Sequence, residues 1–133
     1  MFDDLVQLKG RKESPFDEPT EKVSDRAVAA LRAAHPSLPD DYLAYLAAIG
    51  FGSLGDSSFM IYSGPISTED VYGQVPEGMQ DVVLIGDDFA GYTVGIDLRD
   101  NAIIEADPRG KPLPIAPDFE AFIRVKIARL MDG

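Results

Sequence analysis

At 133 residues, with 12 Lys plus Arg against 23 Asp plus Glu, the chain has the length of one domain and a formal charge of −11. That balance argues against a nucleic-acid binder, which needs a basic face, while the 45% apolar content excludes a disordered acidic tail. The absence of Cys and a single His, His35, exclude a disulfide, a thiolate nucleophile and Cys-type or two-His metal motifs.

Residues 1–19 are polar and loosely patterned, with Phe2, Leu5, Val6 and Leu8 forming at most one amphipathic turn, so a partly ordered arm is expected before a single domain over 20–133. From Thr20, taken as an N-cap, Val23, Ala27, Ala30, Leu31 and Ala34 make one helical face that ends before Pro36. Ser37 is the expected cap of a second helix, with Pro39 in its first turn and Asp40 near its positive end. Tyr42, Tyr45, Leu46 and Ile49 follow at helical spacing, and Gly50 stops the run. After a Gly50–Gly55 loop the period shortens. Phe59–Tyr62 reads as a strand, and Ser67 caps a helical turn reaching Tyr72. Residues 73–80 form a loop, after which Asp81–Ile85, Tyr92–Asp97 and Ala102–Ala106 read as strands whose short links imply an antiparallel meander. The alternation along Tyr92–Asp97 predicts one core-facing side. Pro108–Pro117 is a turn-rich connector, and Asp118 caps a last helix with Phe119, Phe122, Ile123, Ile127, Leu130 and Met131 on one stripe. Helices, then strands, then a helix is an α+β order.

The charge is uneven. Residues 33–98 hold Asp40, Asp41, Asp56, Glu69, Asp70, Glu77, Asp81, Asp87, Asp88 and Asp97, and no Lys or Arg. The flanking segments are nearly balanced, so the centre carries almost the whole excess. Solubility alone accounts for such acids, and a negative surface for a basic partner is the sharper reading.

Catalytic readings find little to stand on. His35 sits at a helix end beside Pro36, no GxSxG or GxxxxGK[ST] is present, and the Gly50, Gly52, Gly55 series follows a helix where a phosphate cradle must precede one. The acid pairs Asp40-Asp41, Glu69-Asp70 and Asp87-Asp88 are sequence neighbours, which point apart, whereas glycoside hydrolysis needs two carboxylates facing across a cleft. Asp87-Asp88 in a glycine-bounded turn offers two cation ligands without the spacing of a calcium loop. The expectation is a protein with no enzymatic activity and no cofactor.

The run Leu38-Pro39-Asp40-Asp41-Tyr42-Leu43-Ala44-Tyr45-Leu46, ending in Ile49-Gly50-Phe51-Gly52, resembles the "LP-x-x-Y-x-x-F-L-x-x-x-G-G" signature of the SMI1/KNR4 (SUKH) superfamily. Ile85-Gly86-Asp87 to Gly91, Tyr92 to Asp97 and Ala102 to Asp107 are similar to that family's strand series, and Asp118-Phe119-Glu120-Ala121-Phe122-Ile123 to its closing helix. The chain departs from the family in lacking a Trp and in having Gly50-Phe51-Gly52 where Asn-Gly-Gly is usual. The resemblance implies a curved antiparallel sheet with N-terminal helices and a C-terminal helix packed on it. It also implies a bacterial immunity protein that neutralises a polymorphic toxin, often a nuclease, or alternatively a scaffold or regulatory protein-interaction module.

A basic protein partner, with neither nucleic acid nor membrane, fits both the charge and the resemblance, for a monomer or weak dimer. The Met1-Phe2-Asp3-Asp4 start lacks the basic region of an export signal, so a cytoplasmic location is the expectation. The expected partner-binding residues are acids with neighbouring aromatics: Asp56, Glu69, Asp70, Tyr72, Asp87, Asp88, Phe89 and Tyr92.

Overall fold

Near Gly50 the apolar spacing passes from helical to alternating, and there the helices give way to a sheet in a computed structural model that describes residues 1–132. Helices α1 (Asp3–Lys9), α2 (Asp25–Ala34) and α3 (Asp40–Ala48) precede strands β1 (Gly52–Leu54) and β2 (Phe59–Ser67). A short α4 (Thr68–Tyr72) leads to β3 (Val82–Asp87), β4 (Thr93–Asp97), β5 (Ile103–Ala106) and β6 (Pro112–Ala116), followed by α5 (Phe119–Asp132). The strands lie side by side in chain order, all neighbours antiparallel. This is the expected α+β meander, extended at each edge by a strand: β1 lies in the presumed Gly50–Gly55 loop and β6 in the presumed Pro108–Pro117 connector. Register shifts in the β2–β3, β3–β4 and β5–β6 ladders mark bulges, which bend the strands.

One face of the sheet, through Phe59, Ile61, Ile85, Val94, Ile96 and Ile103, packs on α1, α3 and α5 in the larger core. Tyr42 and Tyr45 of α3 meet Phe119 of α5 edge-on at 5.4 and 5.3 Å, a favoured aromatic geometry. Asp41 ties the same helices: its carboxylate accepts the Glu120 N–H at 2.9 Å at the start of α5, where negative charge complements the helix dipole. The opposite face buries Met79, Val82, Leu84, Ile104 and Ala106 beneath Tyr62, Ile66 and Tyr72. Every residue of β4 is therefore buried, where alternation suggested one core face. Gly95 serves this two-sided burial: a Cβ there would lie 2.7 Å from Val82 Cγ1 and 2.8 Å from the Val83 carbonyl oxygen.

Residues 1–19, expected as a partly ordered arm, are packed into the domain. Phe2, Leu5 and Phe16 belong to the larger core. Lys9 Nζ donates to the Ile49 C=O at 2.7 Å, placing a cation at the negative end of α3. The following chain covers the β1 edge, with Asp17 N–H donating to Ser53 C=O at 3.0 Å and Glu21 and Phe51 exchanging backbone bonds. Because Glu21 is held against Phe51, α2 starts later than expected. Its cap is Ser24, whose side chain accepts the Ala27 N–H at 3.1 Å, and Thr20 instead donates to the Asp17 C=O. Pro39, not Ser37, is the N-cap of α3. Met131 leaves the α5 stripe and is exposed.

Candidate protein-binding surface

The turn after β3 is shaped by its two carboxylates. Asp87 accepts the Tyr62 hydroxyl proton at 2.7 Å through Oδ2 and the Phe89 N–H at 2.9 Å through Oδ1. Asp88 Oδ1 accepts N–H bonds from Ala90 at 2.8 Å and Tyr92 at 3.1 Å. Such Asx contacts are the usual way a short acid fixes a turn. Here they hold Phe89 at φ +63°, a left-handed conformation that costs an aromatic residue roughly 1–2 kcal/mol. The residue nevertheless stays half in solvent: Phe89 is 53% exposed, and Tyr92 beside it 41%.

Helix α4 forms because Ser67 accepts the Asp70 N–H at 3.1 Å and Gly73, in a left-handed conformation, ends the turn. Glu69 and Asp70 are exposed on it. Tyr72, at its end, shares a hydrogen bond with Thr93 Oγ1 at 2.8 Å and donates to the Asp107 C=O at 3.2 Å. Thr93 lies opposite Asp87 in the β3–β4 ladder, so Tyr62, Asp87, Thr93, Tyr72 and Asp107 form a polar row across the outer face. Burial, together with the bond and charge of Asp87, raises the Tyr62 phenol well above its ordinary value.

Of the expected residues, the fold therefore brings Tyr72 and Asp87 onto one row, with Asp88, Phe89 and Tyr92 in the adjoining turn and Glu69 and Asp70 on the helix that carries Tyr72. Asp56 lies apart, at the tip of the β1–β2 hairpin, although the ladder register puts that tip at the same end of the sheet as the β3–β4 turn. The hairpin tip is itself gripped from behind. The Asp17 carboxylate accepts Ser53 Oγ at 2.6 Å, Ser57 N–H at 2.8 Å and Asp56 N–H at 2.9 Å.

Folding redistributes the central charge. Asp40 meets Arg32 at 2.7 Å, and Arg99 meets Asp97 at 2.6 Å and Asp81 at 3.8 Å, so bases just outside the acidic segment neutralise three of its acids. The Arg99 guanidinium holds the Asp97 carboxyl below its ordinary value. Among the described residues, Glu69, Asp70, Glu77, Asp87 and Asp88 have no ion pair; they sit on α4, the loop after it and the β3–β4 turn, which the Tyr72–Thr93 bond connects across the outer face. Arg109 and Lys111 border this region, lining with Tyr72 and Glu77 an open cavity of about 600 Å³. Sequence reasoning missed Tyr62, Thr93 and these two bases. The phenol following Ile61 in an alternating strand was the available pointer to an outward polar group.

His35 is the C-cap of α2, its N–H donating to the Leu31 C=O at 2.8 Å. Among the described residues, no group of three or more His, Cys, Asp or Glu is arranged to hold a metal ion, and no helix is long and apolar enough to cross a membrane. Neither a scan against protein-family models nor a search of curated proteins finds a match to this sequence.

Proposed function

We propose that this chain is a non-enzymatic protein-binding domain of the immunity type, acting in the cytoplasm and seating α4 and the β3–β4 turn in the basic groove of a toxin domain. The observation that carries the reading is Phe89, held at positive φ in a turn fixed by the two aspartates before it and left half in solvent. Strain of this kind persists where surrounding contacts over-determine it, and it clusters at ligand-contacting sites. An exposed aromatic carried on a turn next to two carboxylates has the composition of an interface anchor, with the aromatic filling a pocket and the acids steering the encounter. A nuclease substrate groove is basic by necessity, and acids on a binding face accelerate approach to it. The likeness of the Leu38–Gly52 run to the SUKH superfamily supports the same reading.

The test is to look beside this gene for one encoding a nuclease-like toxin domain, and to co-express the two; a neighbourhood with no such gene counts against the reading. Wild-type protein rescues growth and co-purifies with the toxin, and Phe89→Ala, with unchanged melting, loses both. Failure to rescue, with capture of partners unrelated to toxins, overturns the immunity reading in favour of a scaffold module.

A further inference from the structure

The groove between β6 and α5 lies outside the surface just described and has the opposite sign. The β5–β6 ladder sets two residue steps of β6, from Pro114 to Ala116, against one step of β5, from Ile104 to Ile103. Ile115 is therefore the extra residue of a bulge, a device that re-aims a side chain. It lines a cavity of about 300 Å³ with Phe122, Val125, Lys126 and Arg129 of α5, and Glu105 of β5. Ile115 and Val125 are exposed, as is Leu113 two residues earlier on β6. Lys126 rests over the Phe59 ring at 4.7 Å, and neither it nor Arg129 has a carboxylate partner among the described residues.

The mode of occupancy follows from the edge. Asp107 N–H donates to the Lys111 C=O at 3.2 Å, so in the alternating ladder Leu113 is the next residue bonded to β5, and Pro112 and Pro114 face the open edge. Their missing N–H groups deny donors to an added strand. A helix needs no backbone partner, and an apolar groove whose α5 wall carries two cations suits one whose apolar stripe is edged by carboxylates on that side, the other edge lying along β6 and the single acid Glu105.

We infer that the β6–α5 groove docks an acidic amphipathic helix of a partner protein, its apolar side chains against Ile115 and Val125 and its carboxylates on Lys126 and Arg129. This stands apart from the immunity reading. It is tested with two synthetic 15-residue helical peptides sharing one Leu/Ile stripe, flanked by Glu in the first and Lys in the second. The readout is the Ile115 methyl signal in NMR titrations, because the Lys peptide is free to bind the acidic turn. The Glu peptide shifts Ile115 and binds at least about tenfold tighter there than the Lys peptide, a preference of about 1.4 kcal/mol. Val125→Glu, at an exposed helical position, weakens the Glu peptide at least about tenfold without lowering the melting temperature. An unmoved Ile115 signal, equal response to both peptides, or undiminished binding by folded Val125→Glu overturns the inference.

Discussion

Arg124 on α5 meets Asp4 on α1 at 2.8 Å, 120 residues away in the chain. The same guanidinium donates to the Met1 C=O at 2.8 Å and to Glu120 at 2.9 Å, and lies 5.5 Å from the centre of the Phe2 ring. Exposed ion pairs contribute little by themselves, so the ring beneath the guanidinium matters more than its charge. Phe2 is 2% exposed and packs edge-on against Tyr45. Phe2→Ala is expected to lower the unfolding free energy by about 3 kcal/mol, and Arg124→Ala by about 1 kcal/mol, in urea titrations. Equal stability of wild type and a chain lacking residues 1–9 would show that the arm is dispensable.

Acid should unfold the protein through carboxyls held below their ordinary value. Burial works to raise the Asp17 carboxyl, but the Ser53 hydroxyl and the Ser57 and Asp56 N–H groups outweigh it, and Arg99 lowers Asp97. Such groups bind protons more readily when unfolded, so their stabilisation is full above the ordinary value of 3.8 and is lost as pH falls through the lower folded values. Urea midpoints should stay level from neutral pH to about 5 and drop below about 4. Asp17→Asn should flatten that drop; an unchanged acid limb in this variant contradicts the assignment.

Gly50 has φ +110°, and a Cβ there would run into the Glu21 carbonyl. Gly50→Ala must therefore break the Glu21–Phe51 pairing that holds residues 15–21 on the sheet edge. A loss of about 2 kcal/mol or more is expected, with faster amide exchange at Glu21 and Phe51. Wild-type exchange at those two amides would refute it.

Among the described residues the Tyr42 hydroxyl is buried without a hydrogen-bond partner, and burial holds its phenol far above the ordinary value. A buried unsatisfied hydroxyl costs about 1–3 kcal/mol, so Tyr42→Phe should leave stability unchanged or raise it, measured as a thermal midpoint at or above wild type. A clear destabilisation would mean that the hydroxyl has a partner.

Periodicity made α3, the central strands and α5 legible, since their apolar spacing reflects the faces they bury. The edge strands were not. β1 has three residues, too few to alternate, and its pairing on one side comes from residues 15–21, far away in sequence. β6 carries Pro112 and Pro114, which read as a turn because an edge strand tolerates what a central strand does not. The arm was misread because Phe2, Leu5 and Phe16 are too scattered to show a pattern and find their partners only in three dimensions. Within the candidate surface, sequence placed acids beside aromatics, but not which acids are free. Arg32 and Arg99 lie just beyond the ends of the acidic segment, and only folding reveals that they neutralise Asp40, Asp81 and Asp97.

Charge reversal at Asp87 and Asp88 is a poor probe of binding, because these carboxylates hold the turn that presents Phe89. Phe89→Gly is more informative: it removes the ring and relieves positive φ, so stability should hold or rise by about 1 kcal/mol in urea titrations while partner binding is lost. Retained binding would remove Phe89 from the interface.

The most direct measurement is the association rate of the proposed toxin partner with wild type and with Glu69→Lys/Asp70→Lys, followed by stopped flow across ionic strength. The wild-type rate should fall roughly tenfold or more from low to high salt, and the variant should associate slowly with little salt dependence. Equal rates and equal salt slopes for the two proteins would contradict an acidic binding surface on α4 and the β3–β4 turn.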